Sequence, residues 1–227
     1  MSWTYSSKLQ LDLIKSNKPI PYDFAINFMD KKVEDISMGS NPAIWFLQHP
    51  NLYTYGSSAN ENDIIDLKKI PMYQSGRGGK ITYHGPGQSI CYIFLPLKRV
   101  YREPDIRRYI NDLQATVIKT MLYFGLKCYE KDGMIGVWCN DITLNKPLKI
   151  AAIGVRVKKW ITMHGIAINI KPDLKYFSGI IPCGIQDYGV TSCASQGLDL
   201  TIEEFNTVFY KEFLNTMNCS KGNEYEI

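Results

Sequence analysis

Two apolar runs separated by a short basic turn make up residues 149–170, KIAAIGVRVKKWITMHGIAINI. Both runs, Lys149–Val157 and Trp160–Ile170, are rich in Ile and Val, so the stretch predicts two β-strands joined by a turn. Further strands are predicted at Ala43–Leu47, Lys80–Tyr83, Ser89–Leu95 and Met134–Cys139.

Helical spacing of apolar residues predicts three helices. The first covers Tyr22–Ile36, the second has Pro104 in its first turn and stops at Gly125, and the third begins with a capping box at Thr201. The apolar faces consist of Phe24, Ala25, Phe28, Met29, Val33 and Ile36 in the first helix and Ile106, Ile110, Leu113, Val117, Met121 and Phe124 in the second.

Short turns between adjacent strands favour a fold of the α/β class (α+β type), in which helices flank a mixed, largely antiparallel sheet. Repeated βαβ units would need longer connections between strands. The sequence contains no internal repeat, linker-like tract or change of composition. We therefore expect residues 1–227 to form a single domain.

The composition excludes several classes of protein. With 45% hydrophobic and 21% charged residues, 17 Gly and 11 Pro, the chain is neither collagen-like nor disordered. A net charge of +4 from scattered basic residues does not predict nucleic-acid binding. It fits ordinary surface solvation and also weak attraction to an acidic protein.

The sequence gives no sign of export, membrane insertion or a metal site. The start of the chain lacks the pattern of a signal peptide, and the longest apolar run, near Cys91–Leu97, is too short to span a bilayer. The six cysteines form no CxxC pair and have no His at zinc-ligand spacing. We expect a cytoplasmic protein with reduced thiols, no membrane association and no metal.

A glycine-rich segment, GRGGKITYHGPGQ, occupies Gly76–Gln88. Glycine lets the backbone approach a ligand closely and exposes N–H groups to it, yet the same residues could simply form two tight turns around a strand. The spacing matches neither a P-loop nor a dinucleotide-binding fingerprint. Arg and His among the glycines favour a site.

A second candidate is Lys149, which heads an otherwise apolar strand. It either ends that strand in solvent or has a functional partner. Cys183 lies between Pro182 and Gly184, where a turn would expose its sulfur, and a nearby ammonium would favour its thiolate. His84 and His164 could serve as the base instead, so Lys and His remain alternatives.

Four motifs in this order resemble the octanoyl-[acyl-carrier-protein]:protein N-octanoyltransferases, the lipoate-protein ligase B family. They are Gly76–Gln88, Lys149–Val157, Trp160–Asn169 and the PCGI stretch at 182–185. His49-Pro50 and LYTYG at residues 52–56 also fit, and the similarity covers about residues 20–215.

The resemblance implies the catalytic-domain fold of biotin- and lipoate-protein ligases and the catalytic residues Cys183 and Lys149. Cys183 would carry the acyl group as a thioester, and Lys149 would lower the pKa of that thiol and handle protons. The residues that the resemblance assigns to the acyl site are Arg77, Gly78, Gly79, Lys80, Ile81, Thr82, Tyr83, His84, Ala152, Ile153, Gly154, Gly165, Ile166 and Ala167.

The implied reaction transfers an octanoyl group from acyl carrier protein to a lysine of a lipoyl domain, the first step of endogenous protein lipoylation. The implied partners are acyl carrier protein, lipoyl domains of 2-oxoacid dehydrogenase complexes and the carrier protein of glycine cleavage, with no nucleic acid. No cofactor is implied beyond the phosphopantetheine of the donor. The alternatives are an ATP-dependent lipoate- or biotin-protein ligase of the same fold and a non-catalytic carrier-binding module.

Two segments depart from the family pattern. Asn140–Leu148 is longer and more polar than the usual turn before the lysine, and Cys193 stands where Leu is more familiar. We expect Cys193, like Cys91, Cys128 and Cys139, to be a packing residue.

Overall fold

The computed structural model describes residues 8–67, 69–143, 145–181 and 188–227. Cys183 and the rest of the PCGI motif lie outside the described residues. The helices are α1 (Tyr22–Ser37), α2 (Leu97–Val100), α3 (Ile106–Tyr123) and α4 (Ile202–Thr216). The strands are β1 (Leu9–Lys15), β2 (Ala43–Leu47), β3 (Leu52–Tyr55), β4 (Met72–Gln74), β5 (Thr82–His84), β6 (Gln88–Phe94), β7 (Tyr129–Lys131), β8 (Met134–Asn140), β9 (Pro147–Lys158), β10 (Ile161–Asn169), β11 (Gly189–Val190) and β12 (Cys219–Glu226).

Nine of the strands in the described ranges form a central sheet with the order β12-β1-β2-β6-β10-β9-β8-β7, and β11 pairs with β9 outside this path. Along this order, each strand from β2 through β7 is antiparallel to the next, whereas β1 runs parallel to both of its neighbours. The predicted mixed, largely antiparallel sheet with flanking helices is therefore confirmed.

Helices cover both faces of the central sheet, as the alternation of side chains in β2 shows. Trp45 faces a core built with Ala25, Met29 and Val33 of α1. Its neighbours Ile44 and Phe46 face the opposite core, which the apolar stripes of α3 and α4 complete. No helix within the described ranges is both long enough and apolar enough to span a membrane.

A smaller sheet with the order β4-β3-β5 lies outside the central one and has its own core, which contains Tyr53, Tyr83 and Phe177. β5 belongs to this sheet and β6 to the central one, so the turn at residues 85–87 joins two sheets and is no hairpin within one. The glycine-rich segment consequently connects the two sheets, which places it beside β9 and β10.

Two details of the helix predictions were wrong. Asp105 caps α3 by accepting a hydrogen bond from the N–H of Arg107, so Pro104 precedes the helix. Phe24 is 51% exposed because the buried face of α1 runs through Ala25, Met29 and Val33 instead. The predicted capping box at Thr201 is present, with Glu204 as its partner.

Candidate active site

A cavity of about 450 Å³ is lined by the glycine-rich segment, by β9 and β10 and by the first turns of α3. This volume is within the usual range of small-molecule sites, about 300–1,000 Å³. Fourteen of the sixteen predicted site residues line it: Arg77, Gly78, Gly79, Lys80, Ile81, Thr82, His84, Lys149, Ala152, Ile153, Gly154, Gly165, Ile166 and Ala167. The fold thus brings together residues that lie up to 90 positions apart in the sequence.

The structure does not place Tyr83 on this cavity. Successive side chains of a strand point to opposite faces, and Thr82 and His84 take the cavity side of β5. Tyr83 packs instead in the core of the smaller sheet beside Tyr53 and donates a hydrogen bond to Asn51 Oδ1 at 2.7 Å. Its contacts are those of a packing residue.

The guanidinium of Arg77 braces the glycine-rich segment. Its Nη1 donates to the carbonyl oxygens of Gly78 and Lys80 at 2.9 and 3.0 Å, and its Nη2 donates to the carbonyl and hydroxyl oxygens of Thr54 at 3.0 and 2.9 Å. The side chain is buried. Arg77 therefore ties the segment to β3 and shapes the cavity wall.

Gly154 lets this brace pass close to β9. A Cβ at that position would stand 2.8 Å from Cδ of Arg77, inside van der Waals contact. The segment is also joined to the same strand by the N–H of Gly78, which donates to the carbonyl oxygen of Val155 at 3.1 Å. Any larger residue at 154 would displace Arg77 and with it the wall of the cavity.

Lys149 does not end its strand in solvent, which resolves the alternative left open by the sequence. It is the third residue of β9, only 7% exposed, and it lines the cavity. Its Nζ lies 5.4 Å from the ring centroid of Trp138 on β8. On the other side, β11 pairs Val190 with Lys149, and the N–H of Thr191 donates to the Lys149 carbonyl at 2.9 Å.

His49, in the segment that follows β2, is fully buried. Its Nδ1 lies 2.6 Å from the carbonyl oxygen of Ile20, so Nδ1 carries the proton, and Nε2 accepts a hydrogen bond from the hydroxyl of Tyr92 at 2.7 Å. Burial lowers the pKa of His49 to about 4. The ring is neutral at neutral pH.

His84 and His164, the other candidate bases, are also buried at the cavity. Burial is the largest cause that lowers the pKa of His84 well below its usual value, and burial likewise lowers the pKa of His164 to about 3. Both rings are neutral at neutral pH and supply no positive charge for a thiolate. This favours Lys149 over the histidines as the charged partner of a nucleophile.

Several wall residues were missed by sequence reasoning. Ile106 and Ile110 of α3 were assigned to the buried stripe of that helix, but they line the cavity, and Ile106 is 40% exposed. Tyr22 and Tyr92 complete another part of the wall. No local signal marks the tyrosines, because Tyr22 reaches the wall through the packing of α1 on the sheet and Tyr92 through its place on β6.

The described cysteines have packing environments, as predicted. Cys193 is fully buried, its sulfur lies 4.0 Å from Sδ of Met121, and burial raises its pKa to about 12. Cys91 and Cys139 are buried and Cys128 is half-buried. A thiol with so high a pKa as Cys193 is a poor nucleophile at neutral pH.

A comparison with protein families identifies the family of this chain. A profile of the lipoyl protein ligase A/B catalytic domain matches residues 21–214. The chain belongs to the lipoyl protein ligase A/B family. The match includes the glycine-rich segment, β9, β10 and the described residues on both sides of Cys183.

This chain is similar to curated proteins that are named octanoyltransferase. It is 44% identical over 201 residues to the octanoyltransferase of Parvibaculum lavamentivorans. The aligned residues make up 87% of this chain and 88% of that protein. Other relatives at 42–45% identity bear the same name. The resemblance to octanoyltransferases is therefore confirmed, and the chain is an acyltransferase.

Solved structures of the family confirm the fold. Lipoate-protein ligase A bound with ATP superimposes with a TM-score of 0.71 at 17% identity, over 96% of this chain and 89% of that one. A bipartite lipoate protein ligase from Thermoplasma acidophilum, studied with its E2 lipoyl domain, gives 0.69 at 15% identity, over 96% and 87%. At these identities the likeness concerns the catalytic fold alone.

Proposed function

We propose that this acyltransferase moves an octanoyl group from acyl carrier protein to a lysine of a lipoyl domain through a thioester on Cys183. The observation that carries the proposal is the buried ammonium of Lys149 on the wall of a cavity large enough for an acyl chain. The octanoyltransferase relatives at 42–45% identity support it independently.

In the first half-reaction the thiolate of Cys183 attacks the carbonyl carbon of the donor thioester. A new C–S bond forms to Cys183, and the bond to the phosphopantetheine sulfur breaks. Lys149 gives its proton to the departing thiolate, so free carrier thiol and neutral Lys149 result. A buried ammonium attracts a thiolate more strongly than an exposed one does, which favours the ionised form of Cys183 at the start of this step.

In the second half-reaction the ε-amine of the acceptor lysine attacks the Cys183 thioester. The C–N bond forms, the C–S bond breaks, and neutral Lys149 takes the proton that the amine loses. The products are the octanoyl amide, the Cys183 thiolate and the Lys149 ammonium. Both catalytic groups return to their starting protonation states, so the cycle needs no cofactor besides the donor's phosphopantetheine.

The cavity wall suits a hydrocarbon chain. Ile106, Ile110, Ile153 and Ile166 contribute branched apolar side chains, while Ala167 leaves space between them. Each methylene that leaves water for such a wall contributes about 0.8 kcal/mol to binding. A chain of eight carbons can therefore supply most of the affinity for the acyl group.

A lipoyl domain is the acceptor that the family suggests. The T. acidophilum lipoate protein ligase, which shares the fold, was studied together with its E2 lipoyl domain. Acyl carrier protein as the donor rests on the resemblance to octanoyltransferases and on the net charge of +4, which suits an acidic partner. The same acceptor chemistry extends to the carrier protein of glycine cleavage.

The second candidate function is an ATP-dependent ligase, since lipoate-protein ligase A bound with ATP has the same fold. Incubation with octanoyl-carrier protein and a lipoyl domain, with and without ATP, separates the two. Octanoylation of the lipoyl domain without ATP is the expected result. An absolute requirement for ATP and free octanoate would instead support the ligase.

Intact-protein mass spectrometry tests the thioester directly. Without acceptor, octanoyl-carrier protein should add one octanoyl group to a peptide that contains Cys183, and Cys183→Ala should abolish the adduct and the transfer. Cys193→Ala is the matched control, because it removes a buried thiol that lies outside the cavity lining. An adduct on Cys193, or transfer by Cys183→Ala, would refute the mechanism.

A further inference from the structure

Trp138 lies directly across the sheet from Lys149. β8 and β9 pair in antiparallel register with Trp138 opposite Lys149, and the Nζ–ring centroid distance is 5.4 Å. A cation within about 6 Å of an indole face is attracted by the negative charge on that face. Trp138 is 1% exposed and Lys149 7%, so solvent screens this attraction little.

The chain also leaves room for the lysine side chain at Gly136. A Cβ at this position would overlap Cε of Lys149 and stand 3.0 Å from its Nζ. The backbone of Gly136 has φ +130°, which other residues rarely adopt. The Lys149 side chain thus passes over Gly136 and beside the Trp138 ring.

Trp138 is itself fixed from two directions. Its indole N–H donates to the carbonyl oxygen of Met134 at 3.3 Å. Its ring meets the ring of Tyr188 edge-on, with centroids 5.6 Å apart, and Nζ of Lys131 lies 4.6 Å from the Tyr188 centroid. A ladder of two rings between two cations therefore runs from half-buried Lys131 through Tyr188 and Trp138 inward to Lys149.

The ladder meets the part of the chain that follows the proposed nucleophile. Tyr188 comes five residues after Cys183 in the sequence, and the next two residues form β11, which pairs Val190 with Lys149. Trp138 therefore contacts both the lysine and the first described residue after the PCGI motif.

We propose that Trp138 is a positioning residue, whose indole face holds the Lys149 ammonium at the cavity wall. The proposal rests on the proposed role of Lys149 in proton transfer. A lysine side chain has four rotatable bonds, and fixing its ammonium against a ring removes orientations in which it cannot reach the reacting sulfur.

The alternative is that Trp138 only fills space. Site-specific incorporation of tryptophan with one, two and three fluorines at position 138 separates the two roles, because fluorine withdraws charge from the ring face but hardly changes its shape. We expect kcat to fall stepwise with each fluorine, by about two- to thirtyfold in total, the effect of losing a typical cation–π contact. KM for the carrier and the melting temperature should not change.

Trp45 is the matched control. It is also fully buried, but its ring contacts Phe28 and Tyr92, and it does not line the cavity. The same fluorination at Trp45 should leave kcat unchanged. A constant kcat across the series at Trp138, or an equal fall at both tryptophans, would overturn the proposal.

A second measurement does not depend on activity. An indole face shields nearby protons, so the ε-methylene NMR signal of Lys149, assigned with Lys149→Arg, should lie upfield of the other lysines and return to their range in Trp138→Leu. An unshifted signal in the native protein would refute the contact.

If the signal is shifted but Lys149→Ala retains full activity, the proposed proton transfer fails while the contact stands. If Lys149→Ala is inactive and fluorination has no effect, only the positioning role fails.

Discussion

Acid should destabilise this protein through its buried histidines. The unfolded chain has histidines with a pKa near 6.5, whereas burial lowers the pKa of His49 to about 4 and that of His164 to about 3. At pH values between the folded and the unfolded pKa, the unfolded chain binds protons that the folded protein does not bind. Above pH 6.5 the histidines therefore do not reduce the free energy of unfolding. Below that pH the free energy of unfolding falls as the pH drops toward the folded pKa values.

The size of the effect follows from these shifts. Going from pH 7.5 to pH 5, each of the two histidines lowers the free energy of unfolding by about 2 kcal/mol, so together they cost about 4 kcal/mol. His84, whose pKa burial also lowers, acts in the same direction. Such a loss is a large fraction of the stability of a typical domain, about 5–15 kcal/mol.

Urea unfolding at the two pH values measures this loss, and His49→Gln provides the control. Gln keeps a donor for the Ile20 carbonyl and an acceptor for the Tyr92 hydroxyl but cannot titrate. The difference between pH 7.5 and pH 5 should shrink by about 2 kcal/mol in this variant. An undiminished pH dependence in His49→Gln, or a histidine NMR signal that titrates near 6.5, would refute the reasoning.

Three further predictions concern the cavity and its surroundings. Arg77→Lys should reduce transfer as much as Arg77→Met, because a lysine cannot reach Thr54 and the glycine-rich segment at once; transfer by Arg77→Lys at the native rate would show that charge alone matters. Ala152→Leu should raise KM for octanoyl-carrier about tenfold, because the larger side chain excludes one or two methylenes, and should leave KM for butanoyl-carrier unchanged. Ala194→Leu, on the surface, serves as the control. An equal rise in KM for both donors would contradict an effect of chain length. Cys193→Ala should lower the free energy of unfolding in urea by about 1 kcal/mol and leave kcat unchanged, so a large loss of kcat would disprove its packing role.

Much of the central sheet could be predicted because its strands are dense in β-branched residues. β9, β10 and β2 were found at nearly their observed limits. β12 was missed, since its sequence CSKGNEYE alternates no apolar residues, and it forms because β1 offers a strand edge for backbone pairing. β1 was missed as well, although Leu9, Leu11 and Leu13 alternate with polar residues in its sequence.

The composition of the cavity was predicted better than its geometry. Family motifs named Arg77 as a site residue, but they do not reveal that its guanidinium binds backbone oxygens of its own segment and of β3. The contact of Trp138 with Lys149 depends on an irregularity in register between Val137 and Trp138. A one-residue slip of β8 would turn the indole away, and no local sequence pattern sets that register.

The pairing of β7 with β8, β8 with β9 and β9 with β10 has a consequence for the order of assembly. These strands follow one another in residues 129–169, so they can pair as a meander at a small cost in loop-closure entropy. β12, by contrast, pairs with β1 from the opposite end of the described chain, which closes a much longer loop. We expect amides of the meander to gain protection from hydrogen exchange early in refolding and those of β12 last. The strand that carries Lys149 is thus built on the part of the molecule that condenses first.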